Sequence, residues 1–226
     1  MYSLKYLVFS VIFLGIANWI SVYYFLINLL KPRQKLVSVK DKEMLAKLKR
    51  KTGLDFFVKL MEIDKMIGFM ISFPPFPPVM VFSNKLFNAF NNNEREWVLL
   101  HEAAHYFMWH SLKFALSQLI ILIIGLLLIN KFIGNNWILP VSFIGLILGV
   151  IYVQIAKIFE YEADNYAATH MDNPKGMITG NIKMRKANTG ILANPIMKKL
   201  FIIAVPYEER IKLAERQLNG LKMHDG

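Results

Sequence analysis

The chain has no cysteine. That excludes a disulfide framework and any thiolate metal ligand, so a metal site here must be built from His, Asp and Glu. Acidic residues are also scarce, 16 against 27 Lys and Arg, leaving a formal net charge of +11. Charge of either sign is nearly missing from several long apolar stretches. Apolar residues make up 55% of the chain and the mean hydropathy is +0.36, too high for an ordinary soluble domain. High hydropathy and high positive charge conflict in a soluble protein. They agree in a membrane protein whose basic residues flank its spans.

Three apolar runs carry that reading. Leu4 to Leu30 contains one charge, Lys5, and exceeds the roughly 20 residues needed to cross a bilayer. It is followed by Lys31-Pro32-Arg33 rather than a small-residue cleavage site, so it reads as a retained anchor over residues 1–30. Phe114 to Ile129 and Trp137 to Ile158 read as a second and third span, a hairpin over residues 113–158 turning at Gly134-Asn135-Asn136. Gln118 and Gln154 are its strongly polar members, placed to face each other or the polar part of the protein. Basic residues crowd the segment after the first span (Lys31, Arg33, Lys35, Lys40, Lys42 and four more by Lys51) and the final segment (Lys183, Arg185, Lys186, Lys198, Lys199, Arg210). The hairpin tip holds only Lys131. By the positive-inside rule the polar segments 31–112 and 159–226 face the cytoplasm and the N-terminus lies outside. No nucleic-acid module accompanies these charges, and their place beside the spans suits the headgroups of a lipid bilayer instead.

Within the first polar segment, Asp41 opens a helix over 41–52, with Leu45 and Leu48 on one face and Gly53 as the stop. Phe56 to Ile63 and Met66 to Phe73 read as strands. The run Phe73-Pro74-Pro75-Phe76-Pro77-Pro78 is confined to a loop or sheet edge by its prolines. Val79-Met80-Val81-Phe82 resumes strand character, and Asn84 to Phe90 reads as a short helix.

The next helix carries His101-Glu102-Ala103-Ala104-His105. Asn93 is its expected N-cap, with Glu94 and Glu96 favouring the helix dipole. Positions i and i+4 share a helix face, so His101 and His105 can turn ring nitrogens toward one metal ion, and Glu102 can take a proton from a water beside it. A catalytic zinc needs a third protein ligand. A third histidine six residues beyond His105 would fall at position 111, which is Ser111. His110 is one residue out of register and reads as an interfacial residue at the start of the second span. The other source is the chain leaving the third span, Phe159-Glu160-Tyr161-Glu162-Ala163-Asp164. Glu160 can bind the metal, Asp164 four residues on can accept a hydrogen bond from a ligand histidine, and Glu162 points about 160° away from Glu160 on a regular helix. The hairpin carries the chain out on one span and back on the next, which returns these groups to the histidine helix.

Together these motifs resemble the HtpX and CAAX prenyl endopeptidase family of integral-membrane zinc proteases, from about Asp41 to the end of the chain. With the three apolar runs as spans, one N-terminal span standing where HtpX-like members have a pair, the expectation is an α-helical membrane protein with about three transmembrane helices and a small α+β, gluzincin-like catalytic domain in the cytoplasm. The resemblance implies zinc on His101, His105 and Glu160, Glu102 as general base and Asp164 behind the ligands. Val205-Pro206-Tyr207-Glu208-Glu209-Arg210-Ile211 is similar to the family's His-Pro element, which makes Arg210 a candidate for active-site structure or oxyanion support. Val205 stands where the family has a histidine, and Ile67-Gly68-Phe69 where it has an Asn-Ala pair. Val79, Met80, Val81 and Phe82 are the expected substrate strand. The implied function is peptide-bond hydrolysis in peptides or membrane proteins at the cell membrane, in quality control. The alternatives are a CAAX-type processing protease and an inactive zinc-binding adaptor, the latter favoured by Val205.

Overall fold

A computed structural model describes residues 36–71, 78–132, 138–187 and 205–224. The expected first span, the proline run at 73–77, the hairpin tip and residues 188–204 lie outside them. The described residues divide into two compact units, one within 113–155, the other within 36–112 and 156–224.

The second unit is helical with a small mixed sheet of four strands, in the order β1-β2-β4-β3. These are β1 (Val37–Ser38), β2 (Phe57–Met61), β3 (Gly68–Ile71) and β4 (Val79–Ser83). Strand β2 runs antiparallel to β1 and parallel to β4, while β3 is antiparallel to β4, pairing Gly68 with Phe82 and Ile71 with Val79. Strand β1 was not expected from the sequence; two exposed residues carry no period to detect. The helices of this unit begin with α1 (Lys42–Thr52), α2 (Asn84–Ala89) and α3 (Asn92–Phe107). Helix α1 starts and stops as the sequence predicts: the Asp41 carboxylate accepts from the Met44 amide, and Gly53 takes a left-handed φ of 72° that closes the C-terminus on the Lys49 carbonyl.

Helix α3 is capped two residues earlier than expected. Asn91, not Asn93, accepts from the Glu94 amide at 3.0 Å, and the Glu94 carboxylate accepts from the Asn91 amide at 2.9 Å. Reciprocal capping satisfies two amides instead of one, which is why this register wins. From Glu94 to Ala104 nearly every side chain of α3 is buried, with Trp97, Leu100, Ala103 and Ala104 at 1% exposure or less. The core packs Met80 and Phe82 of β4 with Leu86, Phe90, Trp97, Leu100 and Met177.

Two long helices follow, α4 (His110–Phe132) and α5 (Ile138–His170), then α6 (Lys175–Ala187) and α7 (Tyr207–His224). Both long helices extend beyond the expected spans, and α5 carries Glu160 and Asp164 without a break. Helix α6 gives regular structure to part of a stretch whose glycines blurred its period. Gly176 and Gly180 are the cause: a Cβ on Gly176 would lie 2.5 Å from the Asn93 backbone, and one on Gly180 2.8 Å from the Trp97 ring. The glycines let α6 approach α3 closely.

In the other unit, α4 and α5 pair antiparallel. Gln118 donates to the Tyr152 hydroxyl at 2.9 Å, and a Cβ on Gly125 would meet Leu148 at 3.0 Å. Leu116, Leu119, Ile120, Ile123, Leu127, Phe143, Leu146 and Ile147 are all exposed. Among the described residues, Phe143–His170 is one helix long and apolar enough to cross a membrane, and α3 with the first part of α4 passes the same test only as a bent pair.

Candidate metal centre

Glu102 and the two histidines of α3 sit on the part of the helix that is almost wholly covered, His101 at 8% and Glu102 at 7% exposure. Helix α5 brings Glu160 to them. His101 Nε2 lies 3.2 Å from His105 Nε2, and the two Glu160 oxygens lie 3.5 Å from His101 Nε2 and 3.5 Å from His105 Nε2. All three groups offer a donor atom within 4.8 Å of the others. The fit to a metal can be tested on these lengths. A tetrahedral ion with bonds of about 2.0–2.1 Å has ligand-to-ligand edges of about 3.3–3.4 Å. The 3.2 Å between the two ring nitrogens matches such an edge, a different Glu160 oxygen lies 3.5 Å from each of them, and the donor set of two imidazoles and one carboxylate suits zinc.

Around the triangle, buried groups hold the ligands. Asp164, fully buried, places Oδ1 2.9 Å from His101 Nδ1. Arg210 reaches in from α7, its Nε 2.9 Å from Asp164 Oδ2 and its Nη2 donating to Glu160 Oε2 at 3.0 Å. Arg210 therefore grips the two carboxylates of α5. Two of its nitrogens are thus engaged with the carboxylates of α5. His110 was expected at a membrane interface but is buried at 3%, with Nδ1 2.8 Å from His105 Nδ1 and Nε2 2.9 Å from Glu162 Oε2. The physical reason is the break between α3 and α4. Trp109 adopts a left-handed φ of 57°, unusual for a residue with a Cβ, and the turn folds His110 back beside His105. Glu162 does turn away from Glu160, toward His110.

Among the protein groups of the centre the charges are strongly redistributed. Burial opposes protonation of His101, but Asp164 and Glu160 overcome it and raise its pKa to about 10. Burial and the neighbouring His101 cation push His105 down to about 3. Burial raises Glu102 to about 7; Glu160 and Asp164 add to the rise, while His101 and Arg210 oppose it.

Strand β4 is not the free edge expected of Val79, Met80, Val81 and Phe82. It hydrogen-bonds to β2 on one side and β3 on the other, and Met80, Val81 and Phe82 are buried. The outer strand on that side is β3. Its Gly68 lies against the site: a Cβ there would be 3.8 Å from Glu102 Oε1 and only 2.5 Å from the Phe82 ring. Neither the place of Gly68 beside Glu102 nor the contact of His110 with His105 follows from local spacing. Only the spacing of Glu162 two residues past Glu160 hinted at a role. Val205 is buried at 3% exposure.

A buried carboxylate beside two helix-borne imidazoles and an acidic third donor, on a mostly helical chain with a small mixed sheet, defines a metallopeptidase-type centre. Residues 35–215 match peptidase family M48, and the chain belongs to that family. Its fold is similar to a crystal structure of S. mikatae Ste24p, with a TM-score of 0.70 at 13% identity, over 92% of this chain and 58% of that one. The chain thus spans little more than half the length of that neighbour. Comparison with curated proteins gave no match.

Proposed function

We propose that the protein is a zinc-dependent integral-membrane endopeptidase, with its site facing the cytoplasm. The observation that carries the reading is the meeting of the His101 and His105 ring nitrogens, 3.2 Å apart, with a different Glu160 oxygen 3.5 Å from each and the Glu102 carboxyl buried beside them. When bound, zinc supplies Lewis acidity toward a water and a peptide carbonyl. Glu102, buried on the same helix beside the two histidines, takes the proton of that water and returns it to the departing amine. Asp164 and Arg210 hold His101 and Glu160 in place before substrate arrives.

An extended substrate adds to β3, the outer strand, rather than to β4. Main-chain pairing there passes Gly68 next to Glu102 and reads side chains loosely, which suits removal of damaged membrane proteins. The exposed apolar faces of α4 and α5 suit lipid, and the basic segments flanking the apolar runs support a cytoplasmic site by the positive-inside rule.

The test is Glu102→Gln in the detergent-purified full chain, measuring zinc content and casein cleavage together. Retained zinc with cleavage reduced by about 10²–10⁴-fold is the expected result. Retained zinc with no cleavage by either protein sinks the protease reading and favours an adaptor, which Val205 in place of the family's histidine would suit.

A further inference from the structure

His105 and His101 are held in different ways. His101 has a carboxylate directly behind it, Asp164, whereas His105 has a second histidine, His110, and the carboxylate stands one step further back on Glu162. The three groups form a chain with two contacts, His105 Nδ1 to His110 Nδ1 at 2.8 Å and His110 Nε2 to Glu162 Oε2 at 2.9 Å. The His110 ring is buried and stacked on Phe159 at 4.9 Å between centroids, 17° from parallel, so its plane is fixed.

A carboxylate can only accept, and that gives the chain a direction. The Glu162 oxygen requires the hydrogen on His110 Nε2. A neutral His110 then has a bare Nδ1, which can only accept. His105 must in turn carry its hydrogen on Nδ1, and its Nε2 is left with a free lone pair. That atom is the corner of the triangle 3.2 Å from His101 Nε2.

We infer that Glu162 and His110 are positioning residues that set the tautomer of His105, so that Nε2 is presented as a metal ligand before any ion arrives. The inference rests on the metal-site reading above and deepens it. Glu162 acts at a distance through one intervening ring and touches neither metal nor substrate. The strained turn at Trp109 is what makes the relay possible, since it brings a residue five places past His105 back against its ring.

The experiment is zinc affinity of the purified full chain, by competition with a chelator, alongside thermal melting without metal. His110→Ala and Glu162→Ala should each weaken zinc binding by about 10–100-fold. The double variant should bind zinc about as weakly as His110→Ala, because the contact of Glu162 with the ligand set runs through His110. Glu162→Gln, which keeps an acceptor oxygen, should restore most of the affinity lost in Glu162→Ala. A melting temperature near that of the parent separates these losses from unfolding. Should His110→Ala fail to fold, the half-buried Glu162 variants decide. Unchanged affinity in both alanine variants, with Glu160→Ala losing zinc, overturns the inference and leaves the metal site standing. A parent chain that binds no zinc overturns the metal reading and this inference with it.

Discussion

Arg210 shows how much depends on single side chains at this site. Its guanidinium touches Glu160 and Asp164 at once, two contacts at 3.0 and 2.9 Å on separate turns of α5. Lysine has one compact ammonium and cannot span both with the same planar fork. Arg210→Lys should therefore bind zinc more weakly while remaining folded. Arg210→Met should lose about 3–5 kcal/mol of stability, because Asp164 would be left charged and fully buried. Chelator competition and chemical denaturation would check the two outcomes; equal behaviour of both variants would deny the bidentate role. Reading the sequence gave Arg210 a place near the site by resemblance alone. Its contacts were invisible, since nothing in local spacing relates position 210 to positions 160 and 164.

At the scale of elements, close approach between backbones governs both the stability and the site. Gly68 on β3 packs on the Phe82 ring and borders Glu102, and the space for a Cβ is already filled at 2.5 Å. Gly68→Ala must displace a buried ring and crowd the carboxylate, costing about 1–3 kcal/mol and most of the activity. Gly176→Ala meets the Asn93 backbone instead, which cannot swing aside, and should destabilise by a similar amount without changing metal affinity in the folded fraction. Melting curves and zinc titration of the two variants distinguish an effect on the site from an effect on packing. The left-handed Trp109 gives an independent check on the turn that shapes the site. Trp109→Gly relieves a conformation that costs an L-residue about 1–2 kcal/mol, so it should melt no lower than the parent, whereas Trp109→Val should melt lower. Most elements of the second unit were legible beforehand because their signals are local: Asp41 and Gly53 bracket α1, and Val79 to Phe82 has strand composition. The order of strands was not. Whether Val79 to Phe82 lies at an edge or in the middle is decided by which strands pair with it, a non-local choice.

For the whole molecule, ion pairs tie the polar elements together and set a pH response. Lys47 and Lys51 both bind Glu96 and Asp172, joining α1 to α3 and to the end of α5, while Lys183 of α6 binds Glu94 of α3 at 2.7 Å. Hydrogen bonds from Lys47 and Lys51 hold Asp172 down at about 2. Burial pushes Glu94 up, but Lys183, Thr179 and the Asn91 amide outweigh it and the net direction is down. Carboxylates depressed in the folded state contribute stability that is complete above their unfolded values near 4 and is lost as pH falls toward the folded ones. The protein should hold its melting temperature from pH 7 to about 5 and lose it below about pH 4. Glu94→Gln should flatten that loss, and a loss of the same steepness in the variant would rule out Glu94 as a contributor.

The sequence alone determined the chemistry available. Without cysteine only imidazole and carboxylate ligands remained, and the spacing of His101, Glu102 and His105 on one helix dictated which atoms share a face. It also determined, through long uncharged runs, that much of the chain is apolar beyond the needs of a soluble core. Tertiary structure decided what local pattern cannot carry. It chose β3 over β4 as the outer strand, put Arg210 on Glu160 and Asp164, and turned His110 from a span-flanking residue into the link between Glu162 and His105. Helix faces and caps follow from interactions three or four residues apart. Strand order, a turn at Trp109 and a contact between positions 105, 110 and 162 depend on how distant segments compete for the same buried space, and that competition is settled only when the chain folds.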